Sequence, residues 1–387
     1  MLLLCVTFIV LYSVDLYQSG IAKHTVAAFS AAGFVMLTIP ISLRLVLNHL
    51  SNWNRPSIQK HVVRIIWMIP LYSIESFFAL KYRESAIYIR TFRESYESYV
   101  IYNFLYYLIA LLGNESQLLS VLKTKFESRG IRHMWPVNYF LPNWTSGEIL
   151  NKCKIGVLQY VVVKNAVALL ALLLHALGSV YREGDLSLRG SYIYCITANN
   201  CSQFVALYCL LLFYFATKDE LSQWRPIGKF LCVKGIIFFT FWQQIAITFL
   251  VQYDPPFFGG NSSSWTVQEV GQGLQDYLIC LEMLVASIAF TAAFTHKDYA
   301  LKYNDSADTQ QYYDSDTEMG GADLGEGSKK ALNSSATPYF FHALVQSSVP
   351  HDFFSDLHKV AQGKDLLMVD MSHADYKGEE KQLLLDK

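Results

Sequence analysis

Long apolar runs set the limits on what this chain can fold into. The hydrocarbon core of a bilayer takes about 20 residues of helix to cross, at ~1.5 Å per residue. Seven stretches answer to that length: Thr25 to Leu47, Val62 to Leu80, Tyr96 to Leu112, Ile155 to Leu177, Tyr192 to Ala216, Phe230 to Val251 and Leu274 to Phe294. The second is interrupted by Arg64, Pro70 and Glu75, and the third is short and rich in tyrosine. Such interruptions are tolerated in lipid where neighbouring helices cover them. The expected fold is all-α, a polytopic seven-helix transmembrane bundle over residues 24–294. It follows a signal-like, extracytosolic segment (1–23) and precedes an acidic, mostly disordered cytosolic tail (295–387), with one short helix around Asp352 to Val360.

Composition agrees with that layout. Of the 387 residues 52% are hydrophobic and 16% charged, too apolar and too poor in charge for two ordinary soluble domains. The charges are also unevenly placed, since the chain beyond Phe294 carries 16 acidic and 9 basic residues. Apolar blocks with basic connectors and a separate acidic tail exclude a nucleic-acid binder, for which no basic patch exists. The seven cysteines lie in or beside apolar blocks without a CxxC pair or a Cys/His cluster at zinc spacing, and read as small core residues. No cofactor is expected. The first residues, Met1 to Tyr12, are apolar but lack both a preceding Lys or Arg and a clear small-residue cleavage site.

Lys and Arg set the orientation. Fourteen lie near the connectors after segments one, three and five, among them Arg55, Lys60, Lys123, Lys152, Lys218 and Lys229, against six after segments two, four and six. The first set is therefore expected in the cytosol, with the N-terminus outside and the C-terminus inside. The connector after segment six has no basic residue and holds the sequon Asn261-Ser262-Ser263, while Asn143-Trp144-Thr145 falls on the cytosolic side.

Ionisable and amide side chains within membrane helices are costly, which makes each a site candidate. Counting ~1.5 Å per residue from the outer helix ends, Glu75 and Glu282 lie about 10 and 12 Å deep, and Asn103, Asn200 and Gln243 about 10–15 Å. A shared depth suits a solute cavity or a proton or cation relay, with the carboxylates as charge carriers and the amides orienting the solute. The structural alternative is helix-to-helix hydrogen bonding. No Ser/His/Asp order, phosphate loop or HExxH helix is present, so an enzyme is not expected. The lack of an Asp-Arg-Tyr type triplet after segment three, and of Asn-Pro-x-x-Tyr in segment seven, argues against the common G-protein-coupled receptor class. Near the end, Glu379 stands four residues before Leu383-Leu384, the pattern of an acidic dileucine sorting signal read by clathrin adaptors. It points to endosomal or lysosomal membrane, with plasma membrane as the alternative.

Several stretches together resemble the transmembrane protein 184 family, and within it the C-type branch. They are Trp53-Asn54-Arg55-Pro56-Ser57-Ile58-Gln59, Pro70-Leu71-Tyr72-Ser73-Ile74-Glu75-Ser76, Glu97-Ser98-Tyr99-Val100-Ile101-Tyr102-Asn103-Phe104, Lys154-Ile155-Gly156-Val157-Leu158-Gln159-Tyr160, Pro226 to Lys234, Phe241-Trp242-Gln243, and Gly273-Leu274-Gln275-Asp276 followed by Glu282. That family is related to the alpha subunit of the organic solute transporter. The resemblance implies a seven-helix fold, movement of amphipathic organic anions, and a small single-span partner subunit or a homo-oligomer among lipids. It also implies a lipidated cysteine cluster between helices three and four, but His133 to Trp144 contains no cysteine, so lipidation is not expected there. The function expected is that of a solute carrier-like protein or transporter subunit. The alternative is a non-transporting trafficking or receptor protein acting through its tail.

The topology predicts glycosylation at Asn261 and none at Asn143. Protein from a glycosylating host should lose its glycosidase-sensitive gel shift in Asn261→Gln and keep it in Asn143→Gln; the reverse pattern would invert the topology.

Overall fold

The computed structural model describes residues 23–113, 115–126, 133, 137–139, 142–176, 190–222, 226–253, 267–299, 343–348 and 350–362, with positions 6, 7, 9, 10 and 13. Among these residues the long elements are helices: α1 (Lys23–Ser51), α2 (Pro56–Ile66), α3 (Met68–Lys81), α4 (Ala86–Leu111), α5 (Glu115–Phe126), α6 (Ser146–Ala176), α7 (Ser191–Ala216), α8 (Pro226–Tyr253), α9 (Val267–Ala293) and α10 (His351–Ala361). Six spans are long and apolar enough to cross a membrane: Thr25–Ser51, Pro56–Lys81, Glu148–Leu174, Ser191–Ala216, Gly228–Val251 and Glu269–Tyr299. The chain is a multi-pass helical membrane protein. The expected third segment is helical as α4, which begins ten residues earlier than apolar character alone indicates. Its opening turns carry Arg90, Arg93, Glu94 and Glu97, so composition does not qualify it as a span.

Local chemistry explains the helix ends. Pro56 occupies the first turn of α2, where a missing N–H costs nothing. The buried Gln59 amide then ties down the preceding loop. Its Oε1 accepts from Arg55 N at 2.8 Å, and its Nε2 donates to the carbonyls of Asn52 at 2.7 Å and His49 at 3.4 Å. The join between α2 and α3 at Trp67 falls one turn before Pro70, whose ring clashes with the carbonyl four residues back. Two residues past the end of α4 stands Gly113, with φ 91°, the left-handed conformation in which glycine closes helices. At the start of α6 Thr145 N donates to Glu148 Oε2 at 3.4 Å, one half of a capping box. That cap starts α6 nine residues before the apolar run.

The chain divides into two compact units. In the first, residues 1–97 and 226–347, α9 packs on α1, α3 and α8, and α1 also packs on α2 and α3. Ala31, Val35, Leu80 and Cys280 form a buried cluster there, bordered by Ile39, Ile74, Phe77 and Tyr277. Lys229, buried on α8, pairs with Asp298 at 3.0 Å and lies over the Tyr299 ring, both just after α9, while His49 Nε2 meets the Phe294 carbonyl at 2.9 Å.

In the second unit, residues 98–225 and 348–387, α6 pairs with α7 along a seam of small and polar residues. Cys153 Sγ donates to the Cys209 carbonyl at 3.3 Å, Gln159 Nε2 to the Ser202 carbonyl at 3.0 Å, and Ser202 Oγ to Gln159 Oε1 at 2.8 Å. Gly156 lets the helices approach: a Cβ there would stand 2.5 Å from Cys209 Sγ. Small residues with interhelical hydrogen bonds are the usual means of holding helices together where lipid removes the hydrophobic drive. On the flank Lys125 Nζ meets Asp219 at 2.7 Å and Glu220 at 3.2 Å, a hydrogen bond that holds the Asp219 carboxyl below the usual carboxylate range.

α10 stands where a short tail helix is expected. Asn261, Glu379, Leu383 and Leu384, with residues 300–342 and 363–387, lie outside the described residues. Of the cysteines described, Cys153, Cys195, Cys209 and Cys280 are buried, Cys232 is half-buried and Cys201 is exposed.

Gly156→Ala is expected to overpack the α6–α7 seam and cost ~1–3 kcal/mol. Gly156→Ala with Cys209→Ala should recover most of that, read as the unfolding midpoint of the purified protein. Equal midpoints for all forms would remove the seam.

Candidate functional site

The two expected carboxylates and one of the three amides fall in the first unit. Glu75, on α3, is 7% exposed, and neither of its carboxylate oxygens has a hydrogen-bond partner among the described residues. It lines a cavity of about 430 Å³ whose other walls are Phe78, Tyr82, Ser85, Ile89 and Phe92. The Phe78 and Tyr82 rings stack there, with centroids 6.0 Å apart. The walls come from the end of α3, the turn after it and the start of α4, so the extra turns of α4 supply Ile89 and Phe92.

Glu282, half-buried on α9, accepts a long hydrogen bond of 3.4 Å from Thr240 Oγ1 on α8, while its Oε1 has no hydrogen-bond partner among the described residues. Gln243, one turn beyond Thr240 on α8, lies beside that carboxylate. Asn103 and Asn200 lie in the second unit. Asn103 is fully buried and its Nδ2 donates to the Tyr99 carbonyl one turn back at 2.8 Å, which is the structural use of a membrane amide. Asn200 is half-buried on α7.

The strongest charge arrangement in the first unit is one that sequence reading passed over. Asp276, on α9, is 1% exposed. Arg90 Nη2 reaches its Oδ2 at 2.8 Å, and Arg93 Nη1 stands 3.6 Å from its Oδ1 and donates to Ser76 Oγ at 3.0 Å. The field of Arg93 acts on both Glu75 and Glu282. Two guanidinium groups therefore stand among three acids carried by α3 and α9. The signal was the i, i+3 spacing of Arg90 and Arg93, which puts both on one helix face, together with Asp276 six residues before Glu282. Among the described residues no group of three or more His, Cys, Asp or Glu is disposed to hold a metal.

Such an arrangement can hold an organic solute by an apolar body against Phe78, Tyr82 and Phe92 while the neighbouring charges orient its polar end. The one acid whose oxygens are left open, Glu75, is also the one at the cavity wall.

The family model described as organic solute transporter Ostalpha matches residues 27–299. The chain is similar to Protein LAZ1 of Arabidopsis thaliana, 37% identical over 76% of this chain and 62% of that protein. A transmembrane protein 184 homologue of Dictyostelium discoideum is 35% identical over 69% of this chain and 52% of its own length. LAZ1 homolog 1 of Arabidopsis thaliana is 35% identical over 70% and 57%. The chain thus spans between 52% and 62% of the length of these relatives. No solved structure matches. The matching family is one of membrane transporters rather than enzymes.

Asp276→Asn would leave the Arg90 and Arg93 side chains, each 13% exposed, with reduced counter-charge. It is expected to cost ~3–5 kcal/mol of stability, seen as a fall in unfolding midpoint that Arg93→Gln partly reverses in the double variant. An unshifted midpoint would make the pair a surface ornament.

Proposed function

This chain belongs to the organic solute transporter Ostalpha family, and from that membership we propose that it carries an organic solute across the membrane along a path lined by Glu75 and Glu282. One observation carries the reading: a buried carboxylate with no hydrogen-bond partner faces an aromatic cavity of about 430 Å³. Leaving a carboxylate unpaired in an apolar surround costs several kcal/mol, and a transport cycle that binds and releases a solute, proton or cation there repays it.

The solute class that suits the walls has a flat or bulky apolar body and a charged end. The body lies on Phe78, Tyr82, Ile89 and Phe92. Arg90 and Arg93 supply the positive charge that an organic anion needs, and Glu75 supplies the site for a co-moving proton or cation. Gln243 orients the solute at Glu282. The protein crosses the bilayer seven times, α4 included, with its N-terminus outside and its tail in the cytosol. A small single-span subunit or a second copy accompanies it in plasma, endosomal or lysosomal membrane.

The test is uptake of labelled steroid conjugates and other organic solutes into vesicles holding the purified full-length protein, with and without a single-span partner. Glu75→Gln and Glu282→Gln should each lower the initial rate at least tenfold while the unfolding midpoint stays within a few degrees of the parent. Uptake unchanged in both variants would clear the two glutamates of any part in the path. No uptake of any solute by the parent protein would turn the assignment to a trafficking or receptor role through the tail.

A further inference from the structure

The second unit holds its own buried carboxylate, and it comes from the tail. Asp356 of α10 is 8% exposed. The hydroxyls of Tyr102 and Tyr106, both on α4, donate to the same oxygen, Oδ2, with Tyr102 at 2.9 Å. Phe353, one turn earlier on α10, stands edge-on to Tyr99 and Tyr102, with ring centroids 6.4 and 5.4 Å apart. Tyr99, Tyr102 and Tyr106 follow one another at i, i+3 and i+7 and form a continuous aromatic strip, Tyr102 lying 4.6 Å from Tyr106 between centroids. Lys154 of α6, itself buried, places its ammonium 5.4 Å from the centroid of the Tyr106 ring.

Two phenol donors aimed at one oxygen, a nearby ammonium and an aromatic floor form an acceptor for a carboxylate on an apolar body. In the structure that body is Phe353 and the carboxylate is Asp356. An isolated helix shorter than ~12–15 residues is marginal in water, and α10 has 11, so it owes its helical state to the docked position. Docking and folding of α10 are then one event, and whatever takes the acceptor unfolds the helix.

We propose that Tyr102, Tyr106 and Lys154 form a binding site for amphipathic carboxylates, and that α10 is its resident, displaceable occupant, an intramolecular ligand held by Asp356. The site lies apart in the chain from Glu75 and Glu282, and the proposal stands whether or not those residues line a transport path.

Hydrogen exchange of the amides of 352–361, in the full-length protein in lipid nanodiscs, tests it. The probes are dodecanoate and its uncharged counterpart dodecanamide, each below its aggregation limit. In the parent protein these amides should exchange at least tenfold more slowly than in Asp356→Asn or in Tyr102→Phe/Tyr106→Phe, with the amides of α6 unchanged in all three as the check on folding. Dodecanoate should raise exchange of 352–361 in the parent towards the level of the variants, and dodecanamide should not. Fast exchange in the parent would remove the docked helix. Protection unaffected by dodecanoate, or lifted equally by dodecanamide, would remove the carboxylate site.

Discussion

The first unit depends on the burial of Asp276 between Arg90 and Arg93. A carboxylate at 1% exposure in a membrane domain is tolerable only with its counter-charges in place. That requirement draws the polar opening turns of α4 against α9, although a helix bearing Arg90, Arg93, Glu94 and Glu97 has no affinity of its own for lipid. Once α4 is drawn in, Ile89 and Phe92 on the same turns close the cavity that Glu75 faces. The ion pair therefore holds in place the helix turns that carry Ile89 and Phe92, and Arg93 adds a bond to Ser76 next to Glu75.

The second unit joins its helices at its main seam through small and polar residues. Gly156 and Cys209 bring α6 and α7 together, and Gln159 and Ser202 exchange hydrogen bonds across the gap. Small residues allow close backbone approach, and Gln159 and Ser202 answer one another from facing helices. The tail helix follows the same logic, its buried carboxylate answered by two tyrosine hydroxyls.

Legibility in the sequence followed the range of each interaction. Runs such as Thr25 to Leu47 and Tyr192 to Ala216 were readable because a helix in lipid is decided by its own twenty residues. The early start of α6 was readable in principle from Thr145 and Glu148, a capping pair three residues apart. The opening turns of α4 were not, because Arg90 and Arg93 look like loop residues until Asp276, nearly two hundred positions away, is placed beside them. Glu75 and Glu282 stood out by the rarity of acids in apolar runs, whereas Asp276, near the polar start of its helix, did not. Asn103 looked equivalent to the glutamates and is bonded to its own helix, a choice that depends on side-chain rotation and leaves no mark on spacing.

Pro70 has a consequence for movement. It offers no N–H to the carbonyl of Ile66, so the α2–α3 span has a joint at Trp67 where one rung of the helical ladder is missing, while Trp67 N to Val63 O at 3.1 Å and Leu71 N to Trp67 O at 3.2 Å bridge it. On one side of the joint Gln59 moors α2 to the loop before it. On the other, α3 carries Glu75 about two turns further on. Glu75 and the wall residue Phe78 share α3, so the hinge-like gap in the ladder stands between the moored half of the span and the half that bears the site.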